Sequence, residues 1–399
     1  MQYWECIVYF HTKTNRFYVY RNEQRGFVMV KVGFIGWRGM VGSVLMERMR
    51  AENDFEGFEP LFASTSQAGQ QGPDVGLDTP PLADAFDTRK LSDMDIIVTC
   101  QGTDYTRKVL PELEQSGWKG YWIDAASALR MDEDSIIVLD PVNRPLIDRA
   151  IAGGVRKFIG GNCTVSLMLM AVGGLFQNGS VDWMTSMTYQ AASGAGAKNM
   201  RELVAQMSAI GKASEDLLSD PGSAILEIDK SVINTMTSEE FAVDHFGVPL
   251  AGSVIPWIDA AMESGPTKEE WKGYAETNKI LQNEPPIPID GICVRIGSMR
   301  CHSQAMTIKL NRDMPIDEIE AMIGEANDWV DIIPNTKEDS LRYLTPAAVT
   351  GKQTIPVGRI RKLNIGPQYL TLFTVGDQLL WGAAEPIRRM LQILLQHLQ

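Results

Sequence analysis

The stretch Val30-Lys31-Val32-Gly33-Phe34-Ile35-Gly36-Trp37-Arg38-Gly39-Met40-Val41-Gly42 decides the fold. Its first six residues form a mostly apolar run of strand length. The glycines end that run, and a helix pattern follows through Met49. A glycine-rich turn between the first strand and first helix of a βαβ unit lets backbone approach a pyrophosphate at the helix N-terminus. The spacing is Gly36-x-x-Gly39-x-x-Gly42 rather than the commoner G-x-G-x-x-G, and the same glycines also suit tight strand-to-helix packing. Their place at the end of a first strand favours the nucleotide.

Further strand patterns follow at 61–63, 95–100, 120–124, 136–139 and 157–159, with helix-length patterns such as 105–116 between them. Strand, helix, strand repetition predicts a parallel sheet covered on both faces. After Cys163 the style changes. Residues 183–192 read as a longer strand, 199–210 as a helix, and Ile292 to Ile296 and Ala305 to Leu310 alternate as antiparallel strands would. Residues 376–398 read as one long helix. The fold class is therefore α/β: a Rossmann-like parallel-sheet nucleotide domain followed by an α+β domain.

The end of the second strand bears on the cofactor. NAD enzymes usually carry Asp or Glu there for the ribose hydroxyls. This chain reads Phe62-Ala63-Ser64-Thr65-Ser66-Gln67. Hydroxyls and N–H groups can donate to a 2′-phosphate, no carboxylate repels it, and Arg38 in the glycine loop is a candidate cation. That points to NADP, although Ser64 equally suits a plain serine turn.

Cys163 follows Phe158-Ile159-Gly160-Gly161-Asn162 and opens a helix pattern. Free N–H groups and the positive end of the dipole favour a thiolate there, and a thiolate is a nucleophile for acyl carbon. A lone cysteine is more often a small buried side chain. Its proton partner must come from four histidines, His11, His245, His302 and His397. His302 lies in a strand-like segment close to Arg295 in sequence. The pair fits general acid–base work beside a nucleophile, although one histidine alone is more often structural. Arg295 can present its fork to a carboxylate. Glu269, Lys272, Glu276 and Lys279 share one helical face, which equally fits a solvated helix with ion pairs. Arg130 lies beyond a strand end, at the sheet edge where a ligand lies.

Five cysteines without paired or metal-like spacing suggest reduced thiols and a cytoplasmic home. The net charge of -13 argues against nucleic acid or an anionic membrane as partner, and no apolar run is long enough to span a bilayer. No metal is called for. Residues 1–28 stand apart, crowded with aromatics and lacking a signal-peptide core. They read either as a hairpin, 4–10 with 16–20, or as translated upstream sequence with Met29 the working start, which is the favoured reading.

Together the segments GFIGWRGMVGSVLM, IIVTCQG, YWIDAAS, GGNCTVSLMLM, TYQAASGAGA, EEWKGYAETNKI, CVRIGSMRCHSQA and FTVGDQLLWGAAEP resemble aspartate-β-semialdehyde dehydrogenases of the enteric-type bacterial branch. GGNCTVSLMLM and RCHSQA are the specific motifs. The resemblance runs from about residue 29 to the C-terminus and implies roles residue by residue. Cys163 would be the acyl-thioester nucleophile, His302 the acid–base catalyst and Gln190 the substrate-orienting glutamine. Arg295 would hold the substrate carboxylate and Glu269 its ammonium. Arg130 and Lys272, with Asn162 nearby, would hold phosphate. NADP contacts would fall on Arg38, Gly39, Met40, Val41, Thr65, Ser66, Gln101, Ser193, Gly194, Ala195, Gly196, Ala197, Pro221 and Gln378.

The resemblance further implies a nucleotide domain at 29–160 completed by a C-terminal helix at 373–399. A catalytic and dimerisation domain would span 161–372, giving a homodimer. The expected reaction is NADPH-dependent reduction of L-4-aspartyl phosphate to L-aspartate 4-semialdehyde, serving lysine, threonine, methionine and diaminopimelate biosynthesis. Two rivals share features of the chain: another acyl-phosphate reductase, such as one for N-acetylglutamyl phosphate, and a non-catalytic NADP-binding protein. A carboxylate for a free ammonium speaks against the first, and the retained Cys163 and His302 against the second.

Overall fold

A computed structural model describes residues 29–399. Both readings of residues 1–28 lie outside the described residues. The apolar run that opens the sequence is β1 (Val30–Ile35). Around it lie β2 (Phe58–Ser64), β3 (Ala83–Asp84), β4 (Ile96–Thr99), β5 (Tyr121–Asp124), β6 (Ser135–Val138) and β7 (Lys157–Gly160). They form a parallel sheet of order β3-β2-β1-β4-β5-β7-β6. Its central strands are buried on both faces, which is why they read as apolar runs rather than alternations. One face packs Phe34, Phe58 and Phe62 against the Met40–Ala51 helix and the C-terminal helix. The other packs Ile35, Ile97 and Trp122 against the Thr103–Gln115 helix.

The second sheet holds β8 (Val181–Gln190), β9 (Val254–Ile255), β10 (Ile289–Asp290), β11 (Cys293–Ile296), β12 (Cys301–Leu310), β13 (Val330–Ile332), β14 (Ile355–Leu363) and β15 (Gly366–Asp377). Its order is β13-β14-β15-β12-β8-β11-β9, with β10 also on β8. Here the structure corrects the sequence reading. β12 is antiparallel to β8 and β15, and β11 is antiparallel to β9, but β11 runs parallel to β8. Side-chain alternation is the same in both pairings, so it could not tell them apart.

The helix Cys163–Gln177 joins the two sheets. Every residue from Thr164 to Phe176 is buried. It meets Ile137 and Leu139 of the first domain and Met184, Met306, Ile308, Leu370 and Leu372 of the second. Each such large apolar side chain contributes roughly 1.5–3 kcal/mol by burial. Gly174 is needed for close helix crossing, since a Cβ there would lie 1.9 Å from the Met322 carbonyl oxygen. The nucleophile candidate therefore stands on a rigid element clamped from both sides.

The C-terminal segment needs a second correction. Residues 373–377, and Gly376 and Asp377 of the expected 376–398 helix, belong to β15. A π-helical turn follows at Leu380–Ala384, and the regular helix is Glu385–Leu398. Ladder bonds to β12 hold 373–377 extended. The helix returns to the nucleotide domain through Arg388 with Asp54 and a two-oxygen clasp of Arg389 on Asp140.

Candidate active site

Cys163 is the first residue of its helix, and Asn162 caps it by accepting the Thr164 and Val165 N–H groups at 2.9 and 3.2 Å. The sulfur faces a cavity of about 480 Å³ between the domains, lined also by Val41, Arg130, Asn162, Gln190, Gly194, Ala195, Glu269, Lys272, Arg295 and Gln378. His302 Nε2 lies 3.2 Å from the sulfur. The strands bring these groups together. Arg295 of β11 pairs with Gln190 of β8, and Ser303 of β12 pairs with Tyr189, so Gln190, Arg295 and His302 stand side by side at neighbouring strand ends.

The Ala191 backbone N–H donates to His302 Nδ1 at 3.0 Å. In a neutral ring that bond puts the proton on Nε2, the nitrogen facing sulfur. Burial and the Arg295 charge pull the His302 pKa down to about 3, so the ring is neutral. His302 is thus set as a donor toward Cys163. Burial, with the Glu269 charge, pushes the Cys163 thiol up to about 12 against the pull of Arg295, Arg130 and Lys272. The helix start expected to favour a thiolate is present, and desolvation opposes it.

The helix Lys268–Leu281 starts with a capping box between Thr267 and Glu270 and buries Glu269 and Glu276. Glu269 accepts from Asn162 Nδ2 at 3.0 Å, from Gln190 Nε2 at 3.2 Å and from Lys272 Nζ at 2.9 Å. Burial alone would raise its pKa; Lys272 and these bonds outweigh it and hold it below the usual carboxylate range. Burial would likewise lower Lys272, but Glu269 and Asp259 hold it above the usual lysine value. Arg130 donates to the Gly160 carbonyl at 2.7 Å and to Glu276 at 3.1 Å. Arg295 is buried and donates to the Ala191 carbonyl at 2.7 Å. Lys279 instead bonds the Asp132 carbonyl at 2.6 Å, away from the cavity.

Glycines make the site possible at two points. A Cβ on Gly194 would lie 2.7 Å from the Arg295 guanidinium and 3.3 Å from the His302 ring. A Cβ on Gly382, in the π-helical turn, would lie 2.9 Å from the Cys163 Cβ. Sequence reasoning missed Gly382, the carboxylate of Asp259 on Lys272, and the binding of Glu276 to Arg130. Only Glu276 carried a signal, its place on the helical face with Glu269.

The glycine loop suits a dinucleotide. Gly36 has φ 74°, and a Cβ there would lie 2.5 Å from the Cys100–Gln101 backbone. Gly39 caps the Met40–Ala51 helix without a side-chain bond, so first-turn N–H groups face outward for a phosphate. Ser64 fills the turn role, accepting the Ser66 and Gln67 N–H groups, while Thr65 and Ser66 are exposed. Arg38 and Gln101 are also exposed; Met40 opens the first helix. Ser193, in the turn Ala192–Ala195, accepts from Gln378 Nε2 at 2.7 Å. Gly196 caps the following helix, which Ala197 opens. Pro221 stands apart: it lies on an exposed turn and is not among the cavity residues.

Comparison with known proteins fits this architecture. Residues 31–150 match the semialdehyde dehydrogenase NAD binding domain, and 172–381 the semialdehyde dehydrogenase dimerisation domain. The aspartate semialdehyde dehydrogenase of Francisella tularensis is 48% identical over 92% of this chain and all of that one, with a TM-score of 0.88. The chain belongs to the aspartate-semialdehyde dehydrogenase family. Two more distant structures share its fold. Aspartate semialdehyde dehydrogenase II of Vibrio cholerae, complexed with ASA, is 24% identical over 92% of this chain and 98% of that one, TM-score 0.72. The Candida albicans enzyme with NADP is 15% identical over 92% of this chain and 97% of that one, TM-score 0.59. As an aspartate-semialdehyde dehydrogenase family member, the chain is an oxidoreductase with a nicotinamide-nucleotide domain. Among the described residues no helix is long and apolar enough to cross a membrane.

Proposed function

We propose that the chain reduces L-4-aspartyl phosphate to L-aspartate 4-semialdehyde with NADPH, through a thioester on Cys163. The 3.2 Å contact between His302 and Cys163, whose cavity is also lined by Arg295, Glu269, Arg130 and Lys272, carries the reading. Such a substrate brings a carboxylate, an ammonium and a phosphate. Arg295 suits the first, Glu269 the second, and Arg130 with Lys272 the third.

In the first step the sulfur bonds the acyl carbon, the carbon–oxygen bond to phosphate breaks, and the thiol proton leaves on the departing phosphate. His302 Nε2–H stabilises the sulfur as it loses its proton. It then donates to the oxyanion that forms on the former carbonyl. Gln190, held by Glu269 and by Thr188 Oγ1 at 3.1 Å, orients the acyl group. NADPH, when bound, supplies the hydride that reduces the thioester. Arg38, Gly39, Met40 and Val41, with Thr65, Ser66 and Gln101, would hold it, and the absence of an acid after β2 supports NADP over NAD. Collapse at the carbon frees the aldehyde and returns Cys163.

The enteric-type branch rests on the motifs GGNCTVSLMLM and RCHSQA, and the scattered free thiols favour a reducing, cytoplasmic setting. A homodimer is supported by the dimerisation-domain match and by the exposed apolar residues Leu218, Ile225, Leu226 and Ile233 within it. The substrate is tested by offering aspartate semialdehyde and N-acetylglutamate semialdehyde separately, each with phosphate and NADP. NADPH should form rapidly with the first and not the second. The reverse preference overturns the assignment.

A further inference from the structure

Among the described residues, both cavity cations that would meet the phosphate already have carboxylate partners. Arg130 pairs with Glu276, which lies behind it, and Lys272 pairs with Asp259 and Glu269, while Arg295 bonds the Ala191 carbonyl and no carboxylate. On the reading above, Glu269 is matched by the substrate ammonium and Arg295 by its carboxylate. The phosphate is then left with Arg130, already paired with Glu276, and Lys272, already paired with Asp259.

The two phosphate-side carboxylates differ in burial and in how many bonds hold them. Glu276 is 2% exposed, stands on a helix and is tied to both Arg130 and the Asn162 N–H, at 3.1 and 2.7 Å. Asp259 sits on the loop between β9 and the Lys268–Leu281 helix, with its side chain 33% exposed. Its carboxylate reaches Lys272 Nζ at 2.7 Å and otherwise only its neighbour's N–H, Ala260, at 2.7 Å. Its backbone is in the left-handed region, φ 71°, a strained conformation of the sort stored at ligand clamps.

We propose that Asp259 is the counter-ion that phosphate displaces from Lys272, so that it weakens phosphate binding and speeds phosphate release. Asp259 acts through Lys272 and is a positioning residue. Asp259 neutralises Lys272 and holds it at the cavity. When a phosphate arrives, carboxylate and phosphate compete for one ammonium, and the solvent-facing loop carries the loser outward. Inorganic phosphate and the phosphoryl group of the substrate meet the same competition.

The test is Asp259→Asn, assayed with aspartate semialdehyde, NADP and inorganic phosphate. Asparagine has the same size and tolerates the left-handed conformation, so the loop is kept. The KM for phosphate should fall about threefold to tenfold, the range of a partly exposed ion pair, while the KM for the aldehyde stays unchanged. Asp259→Glu, which retains the charge, should stay within about twofold of the wild type. A phosphate KM that rises or does not move in Asp259→Asn overturns the proposal, as does an equal fall in Asp259→Glu. A wild-type protein with no phosphate-dependent NADP reduction overturns the activity itself, a separable outcome.

Discussion

Nε2 of His302 stands 3.2 Å from the sulfur of Cys163 across 139 residues of sequence. The ring is held there by the Ala191 N–H, and the cysteine by a helix clamped between two sheets. Nucleophile and donor thus come from the connecting helix and from β12 of the second sheet, and each is held in place.

The first prediction concerns the thiol. Because burial holds it near 12, the thiolate fraction rises tenfold per pH unit through the neutral range. Alkylation of Cys163 by iodoacetamide in ligand-free protein should accelerate steadily from pH 6 to about pH 10. A plateau near neutral pH would mean that the helix start wins over desolvation.

Gly382 tests the fit around the sulfur. Gly382→Ala places a methyl 2.9 Å from the Cys163 Cβ, on a π-helical turn that cannot yield without disturbing Gln378. The cysteine must shift, and a misplacement of ~1 Å costs on the order of 100-fold in rate. Steady-state kcat is the measurement, with circular dichroism to confirm the fold. A kcat near that of the wild type would show that the turn gives way instead.

For Arg295, lysine keeps the charge and loses the fork. A loss of about 10–100-fold in kcat/KM is expected for Arg295→Lys. Little change would make the buried bond to the Ala191 carbonyl its whole role.

Cofactor choice turns on the end of β2. Thr65→Asp puts a carboxylate on an exposed position where the NADP phosphate is expected. The KM for NADP should rise at least about tenfold, and less so for NAD. Equal catalytic efficiency of the wild type with both nucleotides would contradict the reading.

Much of this was legible in the chain, for identifiable reasons. The β1 run and its glycines carry a local signal, because a turn with φ 74° at Gly36 tolerates little else. The Cys163 helix start was local too. What escaped depends on partners far away in sequence. Alternation in β11 is blind to its parallel pairing with β8. Residues 373–377 are extended because β12 pairs with them. The raised thiol pKa follows from a tertiary enclosure that no helix-start argument contains. Asp259 has no pattern around it, and only the folded loop brings it to Lys272.

Single-turnover oxidation shows whether a thioester forms on Cys163. The protein is mixed with aspartate semialdehyde and NADP without phosphate, and NADPH formation is followed together with the intact mass. A burst of one NADPH per active site is expected, with one aspartyl group gained on Cys163 and steady turnover only once phosphate is added. Cys163→Ala should show neither burst nor mass change. Steady NADPH formation without phosphate, or a burst that survives in Cys163→Ala, would contradict the thioester.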